Sequence, residues 1–246
     1  MNTQAQNGSR MLIATKSTQR ECDETEIYTT CLSLAGARIV ELGCGAAQHT
    51  LSIAAMDPSI EITAYEIDEI QHQKNLQSNQ PNNVSFKLAG AQSIPEPEQS
   101  FDIVMMFKSL HHVPLEDLEA SFTEIHRVLK PGGFAYISEP VFAGEFNEIL
   151  RLFHDEESVR EAAFSALVAA VEAGLFENAD EIFFNAPVKF NDFADFENKI
   201  IKATHSDHQL DTHTARLVKQ RIEQYVDAAG IRFSAPMRVN LLRKLG

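Results

Sequence analysis

Short apolar runs alternate along this chain with stretches in which apolar residues recur every three or four positions. Ala37 to Leu42 reads as a buried strand, Gly43-Cys44-Gly45 as a tight turn, and Gln48 to Met56 as a helix. Ile60 to Glu66 predicts a second strand. Asp68 is placed to cap a helix running to about Asn79, with Ile70 and Leu76 as its apolar contacts. A Pro81-Asn82-Asn83 turn leads to a third strand, Val84 to Leu88. Phe101 to Phe107 is almost continuously apolar and suits a central parallel strand buried on both faces. Leu118, Phe122, Ile125 and Leu129 set one apolar face on a helix from Leu115 to Leu129, which Lys130-Pro131-Gly132-Gly133 ends. Phe134 to Pro140 is the fifth strand. Strands alternating with helices in this way predict a parallel sheet with helices packed on it.

The flanks read differently. Met1 to Arg10 is polar, and Asp23 or Thr25 is placed to cap a helix carrying Ile27, Tyr28, Cys31, Leu32 and Leu34. After Pro140, one helical face gathers Phe142, Phe146, Ile149, Leu150 and Phe153, and Val159 to Ala173 is an alanine-rich helix. A short strand broken by Pro187 fits Ile182 to Phe190. Asn191 or Asp192 starts one further helix, and Asp211 or Thr212 another that stops at Gly230. The segment predicts a mostly helical cover, followed by a last strand from Met237 to Arg243.

Composition narrows the partners. A 44% hydrophobic content over 246 residues is enough for a real core. A net charge of −14 repels phosphate backbones and argues against nucleic acid; it fits an acidic surface or attraction of a cationic substrate. Three scattered cysteines, Cys22, Cys31 and Cys44, suggest a reducing compartment. No apolar run is long enough to span a bilayer, and the first residues lack a signal-peptide core, so the expectation is a cytoplasmic protein without a membrane partner.

A strand, glycine turn and helix commonly cradle a nucleotide-like ligand, because glycines let the ligand approach the backbone. Glu41 precedes the turn, and Glu66 ends the next strand, where a carboxylate accepts from both hydroxyls of a ribose. The pattern Val-Glu-Leu-Gly-Cys-Gly, then Tyr-Glu-Ile-Asp, resembles the class I S-adenosylmethionine (SAM)-dependent methyltransferases. Leu110-His111-His112-Val113 and Leu129-Lys130-Pro131-Gly132-Gly133 are companions of that turn, so the resemblance covers residues 37–139. A dinucleotide-binding protein would carry Gly or Ala where Gln48 stands.

The resemblance implies a doubly wound, Rossmann-like α/β fold: a seven-stranded mixed sheet, its last strand antiparallel, with a helical insertion over the carboxyl edge. Residues 1–36 would form a helical lid segment, 37–139 the SAM-binding core, 140–230 the substrate cover and 231–246 the strand completing the sheet. Tyr28 is then a lid residue or a packing tyrosine. SAM is the implied cofactor and S-adenosylhomocysteine the product. Glu41 would orient the methionine amino group, Gly43 and Gly45 admit the methionine and ribose, and Glu66 bind the ribose hydroxyls. Ile67 would pack on adenine and Lys108 offer a backbone carbonyl near the methionine. Gln92 would lie at the adenine edge, where relatives instead carry Asp at the place of Gly90.

Methyl transfer from a sulfonium is an in-line displacement, needing a base only if the acceptor must lose a proton. His111, His112 and Glu139, at the ligand edge, are the catalytic candidates, with packing as the competing role; His154 falls in the cover. The phenylalanines from Phe183 to Phe196 line either a pocket or a core. His205, His208 and His213, with Asp207 and Asp211, resemble no metal motif, and no metal site is expected. The reading is methylation of a small molecule, with a homodimer left open. Its rivals are a non-catalytic SAM-binding regulatory domain and a nicotinamide-dependent oxidoreductase.

Overall fold

A computed structural model describes residues 11–15, 20–202, 210–228 and 230–246. Helix α1 (Glu24–Cys31) precedes β1 (Arg38–Leu42), α2 (Gln48–Ala54), β2 (Glu61–Glu66), α3 (Glu69–Gln77), β3 (Val84–Leu88) and β4 (Phe101–Phe107). Two short 3₁₀ turns, Leu110–His112 and Leu115–Asp117, lead into α4 (Leu118–Val128) and β5 (Leu129–Pro140). The chain continues through α5 (Glu145–Leu150), α6 (Glu157–Glu172), β6 (Phe176–Phe190), α7 (Phe193–Phe196), a π turn (Glu197–Ile201) and α8 (Thr212–Glu223). It ends with β7 (Val226–Asp227) and β8 (Gly230–Lys244).

The strands form one sheet in the order β3-β2-β1-β4-β5-β8-β6, with the two-residue β7 paired to β8. Strands β1 to β5 are parallel, and β8 inserts antiparallel between β5 and β6. The chain winds outward from β1 to β3, then returns to β4 on the other side of β1. The carboxyl ends of β1 and β4 therefore flank the switch point at which open α/β sheets bind ligands. The expected seven-strand path is present. An antiparallel β8 beyond β5 is not the all-parallel order of a dinucleotide fold.

Alternate residues of the central strands feed two cores. Ile39, Ile103, Met105 and Phe107 pack on one face with Tyr28 of α1 and Ile53 of α2. Val40, Val104 and Met106 pack on the other with Phe122 and Ile125 of α4 and Leu167 of α6. This two-sided burial explains why β4 reads as an unbroken apolar run. Tyr28 is buried edge-on against Phe107 and Tyr136, so it packs.

Three expectations need correction. Ile70 and Leu76 of α3 are 64% and 42% exposed, while His72 and Asn75 are its buried residues. That helix docks through a polar face because Asn75 serves the glycine turn. Strand β6 runs unbroken through Pro187 for 15 residues. It is an edge strand, where a proline is tolerated, and its polar start and register shift between Asn178 and Asp180 hide it in the pattern. Its partner β8 is equally long, reaching back to Gly230, whereas α8 already ends at Glu223. The segment expected to be mostly helical therefore also supplies an edge of the sheet. Phe190 and Phe196 join Ile149, Val218, Ile222 and Phe233 in a third core.

Candidate active site

The turn after β1 is held mainly by backbone bonds. The N–H groups of Gly43 and Cys44 both donate to the Tyr65 carbonyl at 2.9 Å, tying the turn to the end of β2. Gly43 takes φ +71°, and a Cβ there would lie 2.7 Å from Ser109 Cβ. Ser109 is pinned by donating its hydroxyl to the Leu42 carbonyl at 2.7 Å. Gly45 takes φ +52° and faces open space.

Two carboxylates serve this turn. Glu66 accepts from the Gly45 N–H at 2.7 Å through Oε2, and from the Ile67 and Asp68 N–H groups at 2.8 and 2.9 Å through Oε1. Glu41 is buried beneath the turn and accepts from the Thr50 hydroxyl. Burial, with Glu24 and Glu66 nearby, pushes its carboxyl up to about 8 against the opposing Thr50 bond. Asn75 donates to the Gly45 carbonyl at 2.7 Å. Burial also raises the Cys44 thiol well above its ordinary value, which makes it a packing residue and a poor nucleophile.

Around the cradle, Ile67 is 61% exposed beside Glu66. The Gln92 amide folds over Gly90 so closely that a Cβ there would meet Oε1 at 2.2 Å. A side chain at position 90 would require the Gln92 amide to move. Lys108, exposed at the end of β4, has φ +54°, an uncommon conformation for a non-glycine residue. Its N–H donates to the Ser138 carbonyl at 2.7 Å. His49 stacks on Phe107 at 4.0 Å, and burial, with Lys108 near, lowers its pKa to about 4.

A second group of side chains lies past β4 and β5. His111, 5% exposed, bonds Glu139 through Nδ1, and its Nε2 lies 3.5 Å from Glu156 Oε1. Burial opposes the imidazolium, yet Glu139 and Glu156 outweigh it and hold the pKa at about 9. Glu139 Oε1 also accepts from the Leu110 N–H at 2.9 Å. Glu156 binds Arg160, which donates to Asn147 Oδ1 at 3.0 Å. Burial works to raise the Glu156 carboxyl, but His111 and Arg160 keep it well below the usual range. His112 is exposed, with its ring 4.1 Å from that of His111.

The structure thus brings Glu41, Gly43, Gly45, Glu66 and Ile67 together at the tips of β1 and β2. Gln92 lies in the loop after β3 and Lys108 at the tip of β4. His111, His112 and Glu139 share the second group. His154 joins that group through Nε2, 2.8 Å from Glu156 Oε1. His205, Asp207 and His208 lie outside the described residues; Asp211 caps α8, and His213 is exposed near Arg216. Sequence reasoning missed Glu24, His49, Asn75, Glu156 and Arg160. Glu24, buried on α1, accepts from the Tyr136 hydroxyl at 3.3 Å. Only His49 and Asn75 carried a local signal: one lies four residues past Gly45, the other seven past the capping Asp68.

Residues 39–133 match a family described as a methyltransferase domain. An uncharacterized methyltransferase of Schizosaccharomyces pombe is 31% identical over 42% of this chain and 39% of its own length. The 27-O-demethylrifamycin SV methyltransferase of Amycolatopsis mediterranei is 32% identical over 40% of this chain and 37% of its own. YcgJ of Bacillus subtilis, an uncharacterized methyltransferase, is 29% identical over 71% of this chain and 72% of its own. Its crystal structure has the same fold, with a TM-score of 0.64 at 20% identity over 90% of this chain and 97% of that one. The match to the first two relatives spans less than two thirds of their length. Residues 39–133 are thus similar to a methyltransferase domain, and the sheet order is that of the YcgJ fold. Among the described residues no helix is long and apolar enough to cross a membrane.

Proposed function

We propose that the protein transfers the methyl group of SAM to a small-molecule acceptor. The observation that carries the SAM site is the Glu66 carboxylate bonded to the Gly45 N–H at the switch point, with open space before Gly45 and an exposed Ile67 alongside. In this reading Glu66 binds the ribose hydroxyls, Ile67 packs on adenine and Gln92 meets the adenine edge. Glu41 meets the methionine ammonium, whose charge favours the carboxylate form that burial disfavours. Gly43, Gly45 and the Lys108 backbone frame the methionine. Bound SAM supplies a methyl on a sulfonium, an activated leaving group; the chain's task is to orient both reactants and exclude water.

Support for a small acceptor comes from three sides. One relative is named for a small-molecule substrate. The net charge of −14 disfavours RNA. A cavity of about 320 Å³, of small-molecule size, lies past the end of β5, lined by Val141, Phe183, Asn185 and Pro236 among others. We assign His111, His112 and Glu139 to the acceptor side of the edge. His111 is buried between Glu139 and Glu156, so with Glu139 it serves to position, and the exposed His112 is the member that meets a ligand.

The test is mass spectrometry of mixtures holding the protein, SAM and panels of small hydroxyl, amine and thiol compounds. S-adenosylhomocysteine above the acceptor-free level, matched by one methylated compound, is expected. SAM binding without turnover on any panel, but with turnover on protein or RNA, would remove the small-molecule reading. No turnover on any acceptor would favour the regulatory domain.

A further inference from the structure

The side chains past β4 and β5 have the arrangement of a metal site. His111, His112 and Glu156 each present a ligand atom, and these atoms lie within 4.8 Å of one another. Two imidazoles and one carboxylate are a donor set for a divalent transition metal and not for magnesium or calcium, which prefer oxygen. The groups behind them fit the same role. Glu139 engages Nδ1 of His111 and is itself held by the Leu110 N–H, which fixes the ring and turns Nε2 toward Glu156. A carboxylate on the far nitrogen is the usual support of a metal-bound histidine. Arg160 occupies Glu156 Oε2, so Oε1 is the oxygen that faces the imidazoles. The ligands come from separate parts of the chain, the turn after β4 and the start of α6, which sequence spacing does not reveal.

From this juxtaposition the geometry points to a divalent transition-metal site with His111 Nε2, a His112 ring nitrogen and Glu156 Oε1 as its ligands, the metal replacing the proton on Nε2, which is released to solvent. Three protein ligands leave a position for water or for an oxygen of a bound molecule. His111 and Glu156 are buried and His112 is exposed, so that position opens on the His112 side. His154 Nε2, 2.8 Å from the same oxygen, stands next to the set.

The test uses the full chain after chelator treatment and dialysis. It is titrated with Co²⁺, followed by visible absorption, and then challenged with Zn²⁺. One equivalent of Co²⁺ is expected to give ligand-field bands that Zn²⁺ removes. His112→Ala, an exposed change that leaves the core intact, should weaken binding at least about tenfold, and Glu139→Gln by about 10–100-fold. His213→Ala, an exposed histidine elsewhere, should not change it. Circular dichroism and melting checks confirm that each variant is folded. Absence of a one-equivalent spectrum, or an unchanged titration in folded His112→Ala, overturns the proposal and leaves a buried ion-pair network. The readout is metal binding, so it is independent of whether methyl transfer is found.

Discussion

The two ends of the ligand edge are built from different material. At the tips of β1 and β2 the working groups are glycines and backbone N–H groups, held in place by Glu66, Glu41 and Asn75. Past β4 and β5 they are side chains, His111, Glu139, Glu156 and Arg160, which join the core to the segment after β5. The first end leaves open space before Gly45; the second is nearly closed and rich in paired charge. Breaking the second should therefore cost stability before it costs SAM binding, and breaking the first should do the reverse.

The largest effect is expected from Arg160→Met. It leaves the buried Glu156 without its guanidinium partner, and breaking such a pair costs about 3 kcal/mol. Urea denaturation measures it, and SAM affinity should stay within about threefold. A loss of SAM binding equal to the loss of stability would erase the contrast. Gly43→Val comes next. A left-handed φ costs a β-branched residue about 1–2 kcal/mol, and the Ser109 contact adds more. Here SAM binding should fall by at least about tenfold in protein that still folds.

The third prediction concerns pH. Glu41 rises from an ordinary 4.5 to about 8 in the folded chain, so the folded state holds the extra proton between those values. Its contribution is fully present at low pH and is lost as pH climbs from about 4.5 to about 8, by at most about 1.4 kcal/mol per unit. Groups facing it are Glu24, Glu66 and Thr50. Glu41→Gln should remove this slope while leaving others. SAM binding near neutral pH should release a proton from wild type and none from the variant, read by calorimetry in buffers of different ionisation enthalpy.

The contrast also explains what was legible in the sequence. The glycine turn is written locally: Glu41, Gly43-Cys44-Gly45 and Glu66 fall within one strand-turn-helix-strand unit, whose elements the pattern marks. The parallel strands were legible for the same reason, since two-sided burial gives continuous apolar runs. The side-chain cluster is not local. His111 and Glu139 were singled out, but Glu156 and Arg160 reach them only through tertiary packing of α6, and no spacing announces that. Strands β6 and β8 were under-read because an edge pair alternates weakly and tolerates Pro187. In α3 the apolar periodicity misled: Ile70 and Leu76 face outward while Asn75 turns inward to hold Gly45.

The most direct measurement is calorimetric titration of the protein with SAM, S-adenosylhomocysteine and NAD in parallel, repeated on Glu66→Ala. Saturable binding of SAM and S-adenosylhomocysteine is expected, with none of NAD. The variant should bind at least about tenfold more weakly, as the loss of one charge-assisted hydrogen bond implies. SAM binding of equal strength in Glu66→Ala, or binding of NAD alone, would contradict the cradle at the tips of β1 and β2.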